Sequence, residues 1–379
     1  MKNFTSKLPN VGTTIFTVMS GLANEYQAIN LSQGFPNFPV DEKLINSVSD
    51  AMRKGFNQYA PMAGVKELRE AISKKTEKLY GVHYCPEREI TLTCGATEAV
   101  FDIITTLVMR GDEVIVLEPA YDSYLPAIEL AGGVPVCVPL RASDFSVDWQ
   151  SVENAISEKT KLLIYNTPHN PSGSNWKPSD MQNLLKIARN RDFFILADEV
   201  YEHIAFTPHI TILREQELRK RAFAVYSFGK TFHATGWRAG YCIADADLTK
   251  EFRKVHQYVT FSIATPFQYA LADYLQDENN YLSVSELFRK KRDFFCDLLS
   301  ETRFRFTPAE GTYFQTASFA EISEESDLAF AERLVKEYGV ATVPLSPFYR
   351  ERTDNKIIRF CFAKTDETLL EAVKRLKKV

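Results

Sequence analysis

From about Glu89 to Ala244 the chain alternates short β-rich runs with amphipathic helical patterns, and nothing else in it constrains the fold as tightly. The runs are "EITLTC", "EVIVLE", "VPVCVPL", "KLLIYN", "FFILAD", "AFAVYS" and "AGYCIA". They are nearly continuous in apolar residues, as strands covered on both faces are. Between several of them lie segments with helical periodicity. Among these are "TEAVFDIITTLVMR", closed by Gly111, and "SDMQNLLKIARNR", opened by Ser179 as a capping residue. Strands joined through helices make βαβ units, and a series of such units builds a parallel sheet. The expected class is α/β: a mostly parallel seven-stranded sheet with helices on both faces, plus a smaller α+β domain. That domain begins after about Leu275, with the helical patterns "YLSVSELFRKKRDFFCDLLSE" and "DLAFAERLVKEYG" and the strand-like "KIIRFCFA". Residues before about 41 contain the Gly and Pro breaks of "LSQGFPNFP" and too few apolar residues for a core. The expected division is an arm at 1–41, a large domain at 42–275 and a small domain at 276–379.

Composition narrows the function. With 379 residues, 45% of them hydrophobic and 25% charged, the chain is an ordinary globular protein. A net charge of -4 supplies no electrostatic reason for a nucleic-acid or anionic-membrane partner. No run reaches bilayer-spanning length and the N-terminus lacks an apolar signal core, so a cytoplasmic protein is expected. The six cysteines form no C-x-x-C pair and mostly sit in apolar segments, which points to reduced thiols rather than a zinc site or disulfides. No metal site is expected.

In open α/β sheets, ligands bind beyond the carboxyl ends of the strands. That rim carries Gly95-Ala96-Thr97 after the first run, Pro119 and Tyr121 after the second, and "NTPHNPSG", with Asn166 and Asn170, after the fourth. The fifth run ends in Asp198, with Tyr201 beyond it, and the sixth ends in Ser227 and leads to Lys230. Each has a plain alternative. Gly95-Ala96-Thr97 reads as a helix cap or as a phosphate cradle on free N–H groups. "HNPSG" reads as a turn. Asp198 and Glu199 look like paired acids, but adjacent strand residues face opposite ways and cannot flank one bond. For Lys230, in "SFGKTFHATGWRAGY", three readings stand: a surface lysine, a nucleotide loop with Ala224 in place of its first glycine, or a desolvated amine able to form a Schiff base. The third fits the rim as a whole. Pyridoxal phosphate needs an amine (Lys230), an anion site (the Gly95-Ala96-Thr97 turn with Ser227 and Arg238), a carboxylate for its ring nitrogen (Asp198) and a flat surface (Tyr121).

With these residues in view, the chain resembles the class I aminotransferases of the fold-type I pyridoxal phosphate enzymes. The branch it is most similar to contains methionine aminotransferases and kynurenine–oxoglutarate transaminases. The resemblance runs from "AINLSQGFPNFP" to "IIRFCFAK" and rests on "SFGKTFHATGWRAGY", "NTPHNPSG", "ADEVY" and "QYAPMAGVKELRE". It implies that Lys230 binds the cofactor covalently and that Asp198 pairs with the ring nitrogen. It further implies that Tyr201 and Asn170 bond the ring's phenolate oxygen, and that Ser227, Arg238 and Gly95, Ala96 and Thr97 hold the phosphate under a stacked Tyr121. Arg359 would take the substrate α-carboxylate, with Gly34, Asn170, Tyr121 and Phe16 beside the substrate. Tyr59 would reach the neighbouring subunit's cofactor, which implies a homodimer. The implied activity is transamination of an L-amino acid with an apolar, sulfur-containing or aromatic side chain onto a 2-oxo acid. Methionine leads, with aromatic amino acids, glutamine and kynurenine as further candidates. A carbon–sulfur β-lyase acting on cysteine conjugates is the alternative on the same cofactor. A non-catalytic binding protein on this scaffold would lack the lysine or the aspartate.

Overall fold

The computed structural model describes residues 5–379. A two-residue strand, β1 (Ile29–Asn30), precedes the central sheet. The sheet comprises β2 (Ile90–Thr93), β3 (Glu113–Glu118), β4 (Val134–Pro139), β5 (Thr160–Asn166), β6 (Phe194–Asp198), β7 (Ala222–Ser227) and β8 (Gly240–Ala244). Every one of the seven apolar runs is a strand, in the order β2-β8-β7-β6-β5-β3-β4. β8 alone runs antiparallel to its neighbours, β2 and β7.

Side chains of the central strands alternate between two cores. Val114, Val116, Leu162, Ile164, Leu196, Phe223 and Val225 face one side, with Ile103 and Ile104 of helix Gly95–Leu107 and Phe252 of helix Ala246–Val259. Ile115, Leu117, Leu163, Tyr165, Ile195, Ala224 and Tyr226 face the other, with Leu68 and Ile72 of helix Lys66–Tyr80 and Leu184 and Ile187 of helix Pro178–Arg189. Full burial of such a side chain is worth about 1.5–3 kcal/mol, so the inner strands are firmly held.

Two helix ends differ from the sequence expectation. The helix from Gly95 stops at Leu107, and Gly111 lies beyond it, with a φ of +91° that turns the chain into β3. Ser179 is not the cap of helix Pro178–Arg189. Pro178 opens the helix, and the Asp180 carboxylate accepts the backbone N–H of Lys177 at 2.8 Å. Proline suits a first helical position because its missing donor would be unpaired there anyway.

Beyond the sheet come β9 (Phe314–Ser318), β10 (Val340–Ala341), β11 (Val343–Pro344) and β12 (Ile357–Cys361). β11, β12 and β9 form an antiparallel sheet, covered by helices Asn279–Leu299, Asp327–Tyr338 and Asp366–Leu376. Phe288, Phe295, Phe330 and Phe360 join the same core as Val114 and Ile164. Near the N-terminus, Met19 and Ala23 of helix Ile15–Glu25 pack on Ala331, Val335 and Ala341, and β1 pairs in parallel with β10. Cys242, Cys296 and Cys361 are buried, whereas Cys85, Cys94 and Cys137 are half-buried, and all six are free. Among the described residues no helix is long and apolar enough to cross a membrane.

Candidate active site

The carboxyl ends of β5, β6 and β7 and the start of helix Gly95–Leu107 enclose a cavity of about 340 Å³. Ala96, Thr97, Tyr121, Asn170, Asp198, Tyr201, Ser227, Lys230 and Arg238 line it, together with Val100 and Asn166. Ten of the residues singled out from the sequence, Asn166 among them, thus meet in one place. A larger groove of about 810 Å³, lined among others by Arg141, Asp144, Lys177 and Arg305, shares only Asn166 with this cavity.

Lys230 sits on the short helix Phe228–Thr231 directly after β7. Its Nζ lies 5.7 Å from the ring centre of Tyr201 and 5.9 Å from that of Tyr313. Burial brings the ammonium down to about 8, and the guanidinium groups of Arg238 and Arg359 push in the same direction. Asp198, at the end of β6, is buried and accepts the hydroxyl of Tyr124 at 2.5 Å and the N–H of Val200 at 3.3 Å. Burial raises its carboxyl to about 6, against the opposing pull of the Tyr124 bond. Glu199 turns the other way, accepting from Tyr226 at 2.7 Å and from the Ile212 N–H at 2.8 Å. Only one of the adjacent acids therefore serves the cavity.

The first N–H groups of a helix have no partner within it. Here they belong to Gly95, Ala96 and Thr97, facing Ser227 and Arg238. Gly95 has a φ of +75°, and a Cβ there would stand 2.5 Å from Arg238 Nη2. The turn thus needs a glycine both for its backbone and for the guanidinium packed against it.

Arg359, from β12, stands beside this cavity rather than in its lining. It is fully buried, its guanidinium lies 3.8 Å from the Phe314 ring centre, and Phe16 and Phe348 are 5.1 and 5.8 Å away. Its Nη1 donates to Asn170 Oδ1 at 2.7 Å and its Nη2 to the Ser32 carbonyl at 2.9 Å, while Nε is buried without a partner. Burial lowers it to about 10. Gly34 is close by: its carbonyl accepts the Tyr313 hydroxyl at 2.7 Å, and a Cβ on it would lie 2.9 Å from Phe314 Cζ. Tyr59 is elsewhere. It is 84% exposed, with its ring edge-on to Phe261 at 5.5 Å. A single copy of the chain does not bring it to its own cavity.

Sequence reasoning missed Tyr124 and Tyr313. Tyr124 follows Tyr121 by three residues, a spacing that shares a helix face, and this was the available signal. Tyr313 carried no motif, since only the folded chain brings the start of β9 toward Lys230.

An amine, a carboxylate, an aromatic ring and a helix start that offers free donors form the set that pyridoxal phosphate requires, so the residues present fit that group. Such a set on this sheet defines a pyridoxal phosphate-dependent enzyme of the aminotransferase type. The chain belongs to the family of class I and II aminotransferases, whose model matches residues 26–376. It is 49% identical to a methionine aminotransferase of Escherichia coli over 99% of this chain and 98% of that one. It is also 31% identical to a kynurenine–oxoglutarate transaminase of Dictyostelium discoideum, over 97% of this chain and 94% of the relative. The crystal structure of YbdL from Escherichia coli, for which a methionine aminotransferase function was identified, superimposes with a TM-score of 0.97 at 49% identity, covering 100% of both chains. The fold is that of the fold-type I enzymes, the chain is an aminotransferase, and its cofactor is pyridoxal phosphate.

Proposed function

We propose that this aminotransferase takes an amino acid with an apolar, sulfur-containing or aromatic side chain, methionine foremost, and passes its amino group to a 2-oxo acid. The observation that carries this reading is Arg359. Its guanidinium is a buried cation whose hydrogen-bond partners are both neutral, set among the rings of Phe314, Phe16 and Phe348. Asp122 acts on it through space but no carboxylate bonds it; such a buried cation is costly, and an α-carboxylate on the ligand offsets that cost. The surrounding rings suit an apolar side chain next to that carboxylate, and likeness to a methionine aminotransferase along the whole chain favours methionine among such side chains.

Bound pyridoxal phosphate supplies an electron sink for the charge left when the substrate loses its α-proton. The chain's residues do the rest. Lys230 Nζ, held near half-ionisation at pH 8, takes that proton and later returns it. Asp198 stays anionic above about pH 6 and holds the ring nitrogen in its protonated form. Asn170 commits its Oδ1 to Arg359, which leaves its Nδ2 free to donate with Tyr201 to the ring oxygen. The Gly95–Thr97 turn, Ser227 and Arg238 would hold the phosphate, Tyr121 would cover the ring, and Gly34 and Phe16 would border the substrate.

We further assign a cytoplasmic homodimer. Tyr59 and Phe261 form an exposed aromatic pair, and Thr97 and Arg238 at the cavity edge are exposed as well. Free thiols suit a reducing compartment. The divisions at residues 41 and 275 belong to the same reading, with residues 1–41, of which 1–4 lie outside the described residues, as an arm over the substrate.

The test is the purified protein against a panel of amino acids with several 2-oxo acids. Methionine should be converted only when an acceptor is present. Preference for aspartate would overturn the substrate class, and acceptor-free release of pyruvate, ammonia and a thiol from a cysteine conjugate would favour a β-lyase. Lys230→Ala should abolish turnover together with the visible absorbance that the bound cofactor acquires.

A further inference from the structure

A buried charged group lies beneath the helix that begins at Gly95. His256, on helix Ala246–Val259, is fully buried, as is Asp102, and Glu98 is nearly so. Ring Nδ1 is 2.9 Å from Glu98 Oε1 and 3.2 Å from Asp102 Oδ2, and ring Nε2 is 3.2 Å from the carbonyl oxygen of Met62. All three partners are acceptors. A neutral imidazole has one N–H and would turn a lone pair toward an acceptor on one side. A proton placed on Asp102 would satisfy Nδ1 but leave Glu98 facing that lone pair. Only an imidazolium, with its Nδ1–H shared between the two carboxylates, meets every contact.

Other groups near the ring are few. Phe252 stacks on it at 5.8 Å, Thr260 lies near Glu98, and the Cys242 thiol on β8 lies near Asp102. Burial disfavours the charged ring, but the bonds to Asp102 and Glu98 outweigh it and raise His256 to about 9.

The partners tie this ring to the site. Glu98 lies in the first turn of helix Gly95–Leu107 and also accepts the N–H of Cys94, next to the cradle glycine. Met62 lies three residues beyond Tyr59, and the preceding Gln58 carbonyl is held by Thr265 Oγ1 at 2.6 Å. We propose that His256 is a positioning residue: a protonated clamp that fixes the Gly95–Thr97 turn relative to the Tyr59 segment and offsets two carboxylates that would otherwise oppose a phosphate dianion there. With the imidazolium the three groups sum to one negative charge, and without it to two. The proposal rests on the reading of Gly95–Thr97 as the phosphate cradle.

Two measurements test it. In apoenzyme labelled with 15N-histidine, His256 should show both ring nitrogens protonated at pH 7.5, and a neutral ring overturns the proposal whatever the variants do. Inorganic phosphate, titrated calorimetrically into apoenzyme, probes the cradle directly. His256→Asn should bind it at least about tenfold more weakly, because one more unit of negative charge then faces the phosphate dianion. The double variant H256N/E98Q, which restores the wild-type charge sum, should regain most of that affinity. A merely structural ring predicts the opposite, with the double variant worse than the single one. Equal phosphate affinity in wild type and H256N overturns the proposal alone. Wild-type apoenzyme that keeps the imidazolium yet binds no phosphate brings down the cradle reading, and the proposal with it.

Discussion

Two lysines in this protein are enclosed by aromatic rings, and the difference between them separates a structural charge from a reactive one. Lys75 lies against Tyr226, Tyr241 and Tyr281, but its ammonium is bonded to the Glu202 carboxylate and to the Tyr241 hydroxyl. Lys230 lies over Tyr201 and Tyr313 with no such partner, and burial brings it to about 8. The depressed value means that the neutral amine becomes dominant above pH 8, well below the range of surface lysines near 10.4. In apoenzyme, trinitrobenzenesulfonate should label Lys230 with a midpoint near pH 8 and leave Lys75 untouched, as read by peptide mapping. A midpoint above 10 would remove the basis for Lys230 as the base. Asp198 poses the matching question. Its carboxyl is raised to about 6 by burial, and the Tyr124 bond keeps it from rising further. Cofactor affinity should fall as the pH drops through about 6, where the acid becomes neutral and cannot pair with a cationic ring. Tyr124→Phe should move that fall upward in pH and weaken retention roughly tenfold, since a hydrogen bond to a charged acceptor is worth about 1.5–3 kcal/mol. Equilibrium dialysis of pyridoxal phosphate across pH reads both effects.

The strands were legible because each is an apolar run with a turn signal at its end, and burial on both faces leaves that mark in composition. Strand direction leaves no such mark. "AGYCIA" reads like its parallel neighbours, although β8 runs against them. The β10 and β11 pairings involve two residues each and are too short to carry a period. Ser179 was misread because its residue type is right for a cap, while Pro178 and Asp180 decide where the helix begins. The rim residues were legible for a different reason: chemistry at strand ends interrupts apolar runs, so Asp198, Ser227 and Lys230 stand out. The Gly95 turn shows what an element requires of one residue. Alanine there would meet both a left-handed φ, costing ~1–2 kcal/mol, and Arg238 Nη2 at 2.5 Å. Gly95→Ala should therefore lower the melting temperature modestly and weaken pyridoxal phosphate binding more than tenfold. The Arg238→Ala variant should lose comparable affinity, and adding G95A to it should then cost only the backbone strain at residue 95, because the clashing guanidinium is gone.

At the scale of the whole molecule, the one assigned residue outside reach of its own cavity is Tyr59. In one copy it is 84% exposed, with the 47% exposed Phe261 ring edge-on to it. Large exposed aromatics in a group mark a surface that another chain covers. Closed two-fold association would place the same segment of each copy at the other's cavity edge, where Thr97 and Arg238 are exposed. A solution mass of twice 43.2 kDa is the first requirement. Complementation then asks whose site the tyrosine serves. Lys230→Ala homodimers should be inactive, and Tyr59→Ala homodimers should bind pyridoxal phosphate weakly. A hybrid dimer has one site with an intact Lys230 from the Y59A copy and an intact Tyr59 from the K230A copy. If Tyr59 crosses the interface, mixing the two variants should restore cofactor affinity and turnover at that site. If it serves its own subunit, no site in the hybrid holds both residues and mixing restores nothing. The second outcome would also remove the reason for an active enzyme to be a dimer, because each cavity would then be complete within one chain.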